Sequence, residues 1–565
     1  MEEKFRETGK ESDIRDVVIV GGGISGLYCA KKIIEQKKPG DNINSITILE
    51  RSGRWGGRLD TDIVTSGEHR DTQIKEEEGA MRFTYDDPDS YNIKASNMPL
   101  LSRLIKDLNM EDQVKPFYMA PQEIPPNSDK LPNNCNARFY NGQHFTDWYA
   151  SKNPTMWKNI FNLERKEEFK SAGEIVKDIY RKLLDHNKSI LYSHCGETIA
   201  DVIIAQEDTG RLQEYQNAEF WTFFRNHFTW NVELITFDVI WNKLYQFKKG
   251  WTSLVDRLVK DLAKSCKLNR INLEMKTNFE VQRLNENNQG GYTIIGIEEN
   301  ENMERTQKHK LKATNLVLAI PPKATEDILN KSKNFAKNEE LKDEIMKICN
   351  TVKGIHLTKI NLYFEDDWWN QDKDIKMYGP SMTSLPCAFI YPFYGECKAA
   401  GCKGCEKCED VPCPAALTIY CDVNNAQFWS SLQRLGHKFH SPLQKENPKL
   451  LPASESVVAE AINQFRKIFS IKDIPHPILT SYRSWDGKDE TETDSEKVEE
   501  HGYGIHVWGL GVDDKAVRRQ VSQPVPGRNL FMCNEAWSDY QGWVEGSLSS
   551  TQDAVNRLLK LETDE

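Results

Sequence analysis

The spacing of hydrophobic and polar positions changes period several times along the chain, and each change marks an element. Residues 16–20 form a short β-branched run that meets Gly21, Gly22 and Gly23. A helical period follows from Ile24, with Leu27, Ala30, Ile33 and Ile34 on one face. Residues 37–44 form a polar loop around Pro39 and Gly40, and residues 45–49 read as a second strand. The opening is therefore β-α-β. Helical spacing returns over residues 98–108, and residues 116–136, rich in Pro and Asn, read as a long connection. Residues from about 160 to 245 read as helical, with aromatic residues that suit a core, and Gly250 opens a further helix. Residues 271–284 and 292–297 read as strands. Residues 316–320 form a buried strand ended by Pro321 and Pro322, which suits a return to the first sheet. Residues 355–364 alternate as a half-buried strand does, with Lys359 on one face and His356 out of phase. Segments 388–391, 416–421, 479–485, 504–508 and 529–535 read as strands, 487–500 as an acidic loop, and a last helix runs to about residue 559.

Composition adds limits to this picture. A chain of 565 residues is too long for one core and predicts several domains. The net charge of -11 argues against a nucleic-acid surface. No apolar run reaches membrane-spanning length. Residues 1–15 are charged and polar, lack the apolar core of a signal peptide, and read as a disordered tail. Thirteen cysteines without a secretion signal suggest a reducing, cytoplasmic setting.

The chemistry begins at the glycines. Gly21, Gly23 and Gly26 fit G-x-G-x-x-G between a strand and a helix, the context in which that spacing cradles a dinucleotide. Gly21 allows the turn, Gly23 admits a pyrophosphate and Gly26 lets helix and strand pack closely. Phosphates then sit at the helix N-terminus beside Ser25, where free N–H groups favour anions. Glu50, ending the second strand, suits ribose hydroxyls. The glycines alone permit NAD or FAD. Arg51 to Leu59 follows, with Gly56 and Gly57 between Arg54 and Arg58; the loop suits an anion, whereas Arg54 by itself reads as a solvated turn residue. Gly79 and Ala80 let backbone approach a ring system. Arg82 after Met81 needs an anionic partner if buried, either a ligand or Glu76 to Glu78.

Cys397, Cys402, Cys405, Cys408 and Cys413 crowd one loop, flanked by Cys387 and Cys421. The spacing departs from the iron–sulfur run C-x2-C-x2-C-x3-C-P by a longer interval. Structural zinc, disulfides and free thiols all stay open, and no metal ligand is assigned.

Taken in order, the glycine motif, Glu50, Arg54-Trp55-Gly56-Gly57-Arg58, Gly79-Ala80-Met81-Arg82, the strand with Lys359, and Glu535 with Gly542-Trp543-Val544-Glu545-Gly546 resemble the flavin-containing amine oxidases, most of all the L-amino-acid oxidases. The resemblance implies an α/β fold. A Rossmann-like FAD-binding domain would be built from segments 16–90, 246–325 and 501–565. A helical insert (91–245) and a mixed-sheet substrate domain (326–500) carrying the Cys-rich loop 397–413 would complete it. It implies FAD held by Gly21, Gly23, Ser25, Gly26, Glu50, Arg51, Gly57, Arg58, Gly79, Ala80, Met81, Arg82, Val281, Glu535, Gly542, Trp543 and Val544. Lys359 would hold a water at flavin N5, Trp543 would be one wall of an aromatic cage, and Tyr391 is the candidate substrate-side tyrosine. Arg82 would bind a substrate carboxylate. Residues 503–508 lack the cysteine that tethers FAD in monoamine oxidases, so non-covalent FAD is expected; Trp508 or His506 is expected near the site.

The expected reaction is oxidative deamination of an L-amino acid by hydride transfer from Cα to flavin N5. Oxygen is then reduced to peroxide, and the imine hydrolyses to a 2-oxo acid and ammonia. Rivals are an amine or polyamine oxidase on the same fold, a flavin desaturase or dehydrogenase acting on C–C bonds, and a protein that binds FAD but works by interaction. A small-molecule amine or amino acid, oxygen, no nucleic acid, no membrane and a homodimer complete the expected partners.

Overall fold

The computed structural model describes residues 14–66, 69–85, 98–117, 136–140, 142–146, 244–287, 290–299, 306–332, 335, 340–370, 377, 379–397, 414–487, 502–509 and 512–561. The expected helical stretch 160–243, the acidic loop 488–500 and Cys402, Cys405, Cys408 and Cys413 lie outside these residues.

The first sheet runs Asn272–Lys276, Ser45–Leu49, Ile14–Val20, Thr306–Leu318, Tyr292–Glu299, Phe279–Glu286, with Leu530–Met532 also paired to Thr306–Leu318. Its central pairs are parallel, and the last hairpin is antiparallel. Val17, Val18, Ile19 and Val20 are all buried, as a strand covered on both faces requires. Helices Ile24–Gln36, Trp251–Leu268 and Val544–Leu558 cover one face through Leu27, Ile33, Leu254, Leu258 and Leu548. The first strand starts at Ile14, so the expected tail is shortened: Arg15 pairs with Glu274 at 3.1 Å and joins the sheet.

The second sheet runs Leu479–Trp485, Leu357–Phe364, Ala415–Asp422, Phe389–Tyr394, Ser381–Thr383, Ala137–Tyr140, Gln143–Thr146. Helices Val423–Leu435 and Glu455–Phe469 pack on Ile360, Leu362 and Phe364. The expected half-buried strand 355–364 is corrected here. It breaks at His356 into Val352–Ile355 and Leu357–Phe364, and every residue of the second strand is buried. Lys359 and Asn361 occupy the face opposite the helices, and that face is covered by the ribbon Thr61–Ser66 with His69–Glu77.

Two boundaries also move. Pro116 sits in strand Val114–Phe117, and Tyr245 in strand Leu244–Phe247, which pairs with it and with Phe83–Thr84. Both were expected in a connection and a helix. Helix Pro99–Asp107 is capped from a distance: the Glu545 carboxylate accepts from Leu100 N and Leu101 N at 2.9 Å each.

Candidate active site

A cleft of about 320 Å³ lies along the carboxyl ends of the parallel strands. Gly21 turns the first strand into the first helix with φ +106°, and a Cβ there would meet Ala319 O at 2.4 Å. A Cβ on Gly26 would lie 1.9 Å from Gly21 O, so helix and turn touch. Gly23 differs: a Cβ there would meet nothing nearer than 4.0 Å and would project into open cleft. Gly23 is also the N-cap of helix Ile24–Gln36, with no side chain capping it, so first-turn N–H groups stay available.

Glu50 closes one end. Its carboxylate accepts from Gly22 N at 2.7 Å and from Ser52 N and Oγ at 2.8 Å, which fixes its direction. Arg54 is not a solvated turn residue. It bonds Gly57 O at 2.7 Å and Asp60 at 3.2 Å, bracing its own loop. Arg58 donates to Gly504 O at 2.9 Å and to Glu535 Oε1 at 2.6 Å. Arg58 is thus held by protein partners at the cleft.

Glu535 accepts from Arg58 and, at 2.9 Å, from His506 Nδ1. Burial alone would raise its pKa, but the Arg58 and His506 charges hold the carboxyl far below the usual range. Its Oε2 is buried without a hydrogen-bond partner among the described residues. A buried carboxylate oxygen in a cleft wall calls for a donor from a ligand. Opposite, Trp543 is the N-cap of helix Val544–Leu558, again without a side-chain cap, and lines the cleft with Gly542 and Val544.

Lys359 Nζ reaches the cleft and donates to Glu77 O and Gly79 O at 2.5 Å each. Burial pushes its pKa down to about 8, against the pull of Glu77, Glu78 and Glu76. The ammonium lies 5.4 Å from the centroid of the Tyr420 ring. Gly79 is obligatory, because a Cβ would lie 1.9 Å from Arg58 O.

Beyond Tyr420, Arg82 Nη1 donates to Tyr391 Oη at 3.0 Å, and its guanidinium lies over the rings of Tyr391 and Phe117 at 5.5 and 5.9 Å. Met81, Phe117, Leu244 and Tyr391 form one buried cluster here, with Phe389, Phe393 and Tyr420 against it. Among the described residues no carboxylate pairs with Arg82. Glu76 accepts from Ser481, Glu77 from Thr61, and Glu78 from Arg483.

Of the expected site residues, Gly21, Gly23, Ser25, Gly26 (through its packing), Glu50, Arg51, Gly57, Arg58, Gly79, Ala80, Val281, Lys359, Glu535, Gly542, Trp543 and Val544 surround the cleft. Met81, Arg82 and Tyr391 do not line it and gather one layer away, behind Tyr420. His506 bonds a cleft residue, whereas Trp508 is core. Sequence reasoning missed Tyr420, Trp485, Glu78 and Phe117. Tyr420 had a signal, since it sits in an expected strand, but only the register Lys359↔Tyr420 brings it to the site.

The family model for flavin containing amine oxidoreductases matches residues 24–401. The chain belongs to that family. No curated protein matches it closely. Among solved structures it is similar to the cyclohexylamine oxidase of Brevibacterium oxydans IH-35A, at 13% identity and TM-score 0.54, covering 97% of this chain and 99% of that one. It is also similar to wild-type putrescine oxidase bound to putrescine, at 13% identity and TM-score 0.56 with the same coverage. At such identity the likeness is one of fold, and the mixed α/β fold is that of the flavin amine oxidases. The family's cofactor is FAD. The cleft fits it: two uncapped helix N-termini and the open Gly23 suit phosphates, and the unpartnered Glu535 Oε2 suits a hydroxyl. Among the described residues no cluster of His, Cys, Asp and Glu could hold a metal, and no helix is long and apolar enough to cross a membrane. Cys387 and Cys421 are buried free thiols.

Proposed function

We propose that this flavin amine oxidoreductase deaminates an L-amino acid oxidatively, with non-covalently held FAD. One observation carries the reading. Arg82 follows the Gly79–Ala80 turn at the cleft, is held by the Tyr391 hydroxyl and by the rings of Tyr391 and Phe117, and has no carboxylate partner among the described residues. A partly buried guanidinium so placed is set to receive an anion, and a planar fork takes a carboxylate in bidentate fashion.

Bound FAD would supply the two-electron redox chemistry, with oxygen as the final electron acceptor. The chain's residues do the rest. Arg82 anchors the carboxylate, and Tyr391 keeps the guanidinium from turning. Tyr420, between that anchor and Lys359, excludes water and walls the substrate nitrogen. Lys359 spends two of its N–H groups on Glu77 O and Gly79 O, leaving a third for a water or ligand in the cleft. The substrate amine must be neutral for its lone pair to assist, so turnover rises with pH on the acid side. Arg51, Gly57 and Ser25 at the glycine end would hold the diphosphate, Glu50 the ribose and Val281 the adenine. Met81 buttresses the ring end.

A second reading is an amine or polyamine oxidase. The folds of cyclohexylamine and putrescine oxidases favour it, as does the aromatic wall of Phe117, Phe389, Phe393 and Tyr420. A substrate screen decides: purified protein with FAD is mixed anaerobically with L-amino acids, D-amino acids, monoamines and polyamines, and flavin bleaching is followed. Bleaching by L-amino acids with release of ammonia and a 2-oxo acid supports the proposal. Bleaching by amines alone replaces it with the second reading.

A further inference from the structure

His506 is 1% exposed and follows Gly504 and Ile505, which line the cleft. It belongs to strand Ile505–Trp508, opposite Gly354 on strand Val352–Ile355. The Tyr503 ring takes the space that a side chain on Gly354 would need, since a Cβ there would meet it at 2.0 Å. The same ring stands edge-on to the imidazole at 6.2 Å, so packing fixes the histidine. Its Nδ1 lies 2.9 Å from Glu535 Oε1, the ring's one hydrogen bond among the described residues. Nε2 is buried with no partner among them. An apolar side chain between Ile505 and Val507 would be buried at lower cost than this orphaned ring nitrogen. That cost is offset only by what Nδ1 does.

Against the cost of burial, Arg58 and His506 keep Glu535 ionised, so Glu535 only accepts and His506 Nδ1 carries the hydrogen. Arg58 Nη1 donates to the same oxygen at 2.6 Å and to Gly504 O at 2.9 Å. Arginine–carboxylate pairs readily close into two parallel bonds, which here would consume both Glu535 oxygens. This pair has not closed. Oε1 takes both donors, and the buried Oε2 has none among the described residues. A second donor on Oε1, arriving from strand Ile505–Trp508, stops the carboxylate from turning to Arg58. The backbone under Glu535 is fixed as well: Ser538 Oγ donates to Glu535 O at 2.8 Å, and Asn534 Oδ1 accepts from Ala536 N at 3.1 Å. We propose that His506 is a positioning residue for the cofactor: through Nδ1 it holds Glu535 so that Oε2 stays open to a hydroxyl of the FAD ribityl chain.

The place of Glu535 along the cleft selects that part of FAD. Arg58 connects two landmarks. Gly57 before it packs on Gly23, where a Cβ on Gly57 would lie 3.4 Å from Gly23 Cα, at the end that suits phosphates. Arg58 O lies against Gly79, whose own carbonyl accepts from Lys359 at 2.5 Å, at the end where Gly79 and Ala80 admit a ring system. Glu535, bonded to Arg58, therefore stands between diphosphate and ring. The part of FAD that spans those two is the ribityl chain, a row of hydroxyls. A hydroxyl donates to a carboxylate oxygen, which is the partner that Oε2 lacks. This role of His506 rests on FAD as the cofactor and is the same whichever amine is oxidised, so binding experiments without substrate test it apart from the L-amino-acid reading.

The test uses the full chain freed of FAD and titrated calorimetrically with three probes. They are FAD, ADP, which lacks the flavin half, and an FAD analogue with a plain alkyl chain in place of ribityl. The variants are His506→Leu, which removes the donor, and His506→Asn, whose amide nitrogen stands where Nδ1 stood. His506→Leu is expected to bind FAD about tenfold more weakly than wild type, the worth of one hydrogen bond to a charged group, and ADP within about twofold. With the alkyl analogue the two proteins are expected to bind alike, because no hydroxyl is left for Oε2 to receive. His506→Asn is expected to bind FAD within about threefold of wild type. FAD affinity unchanged in His506→Leu, an equal loss for ADP or for the alkyl analogue, or His506→Asn as weak as His506→Leu overturns the proposal. Should His506→Leu not fold, His506→Gln decides: its amide stands at Nε2 instead, and FAD bound as tightly as by His506→Asn overturns the proposal equally.

Discussion

Arg82 Nη1 and Tyr391 Oη meet at 3.0 Å although 309 residues separate them in the chain. The contact fixes one guanidinium corner and leaves the rest of the fork uncommitted to any carboxylate among the described residues. Tyr391→Phe is expected to keep the ring stacked under Arg82 and lose only the hydroxyl. About 1 kcal/mol of orientation goes with it, a rise of roughly fivefold in KM for a carboxylate substrate with little change in FAD affinity. Steady-state kinetics beside an FAD titration check both halves.

Gly23 and Gly26 separate binding from folding. Gly23→Ala adds a methyl to open cleft, so the apoprotein is expected to melt at its usual temperature while FAD binds at least about tenfold more weakly. Gly26→Ala drives a Cβ into Gly21 O and is expected to destabilise the apoprotein itself by about 2 kcal/mol or more. Thermal melts of apoprotein, followed by FAD titration, distinguish the two.

Glu535 carries the buried end of the Arg58 and His506 contacts. Its folded pKa is depressed, so its contribution to stability is present above the unfolded carboxyl pKa and fades as pH falls below it. Glu535→Gln is expected to cost about 3 kcal/mol at neutral pH, because Arg58 loses its buried counter-charge, and to flatten the acid limb of the stability curve. Urea denaturation of the two proteins between pH 7 and pH 3 measures the difference.

Lys359 behaves in the opposite sense. Burial lowers its folded pKa to about 8, below the unfolded value, so between about pH 8 and the unfolded pKa the unfolded chain binds more protons. The group's contribution to stability therefore rises with pH across that window. Apoprotein melts from pH 7 to pH 10 are expected to gain on Lys359→Met as pH increases. A constant gap between the two would show that Lys359 titrates normally.

Legibility followed distance along the chain. The strand–turn–helix at Gly21 and the Glu50 that follows it are local, and the sequence pattern located them. Residues 355–364 showed the right alternation of chemistry but the wrong burial. Alternation says that Lys359 and Asn361 share a face, not that Glu76 and Glu78 cover it. Tyr420 and Phe117 reach the cluster around Arg82 and Tyr391 only through sheet register and the packing of distant strands, which no local period encodes. Arg54 read as solvated because its partner Asp60 became visible only once the loop closed. The family motifs carried Glu535 and Trp543 to the cleft, since their place depends on the C-terminal segment rejoining the first sheet.

The carboxylate reading of Arg82 is tested most directly by pairing an L-amino acid with its decarboxylated amine, such as L-phenylalanine with phenethylamine, in wild type and Arg82→Ala. Anaerobic flavin bleaching gives the apparent affinity of each. Wild type is expected to prefer the amino acid. Arg82→Ala is expected to weaken it by about a hundredfold, the worth of a charge-assisted bidentate contact, with FAD retained and the amine unaffected. An amino-acid affinity unchanged in Arg82→Ala, or a wild type that accepts only the amine, contradicts the account.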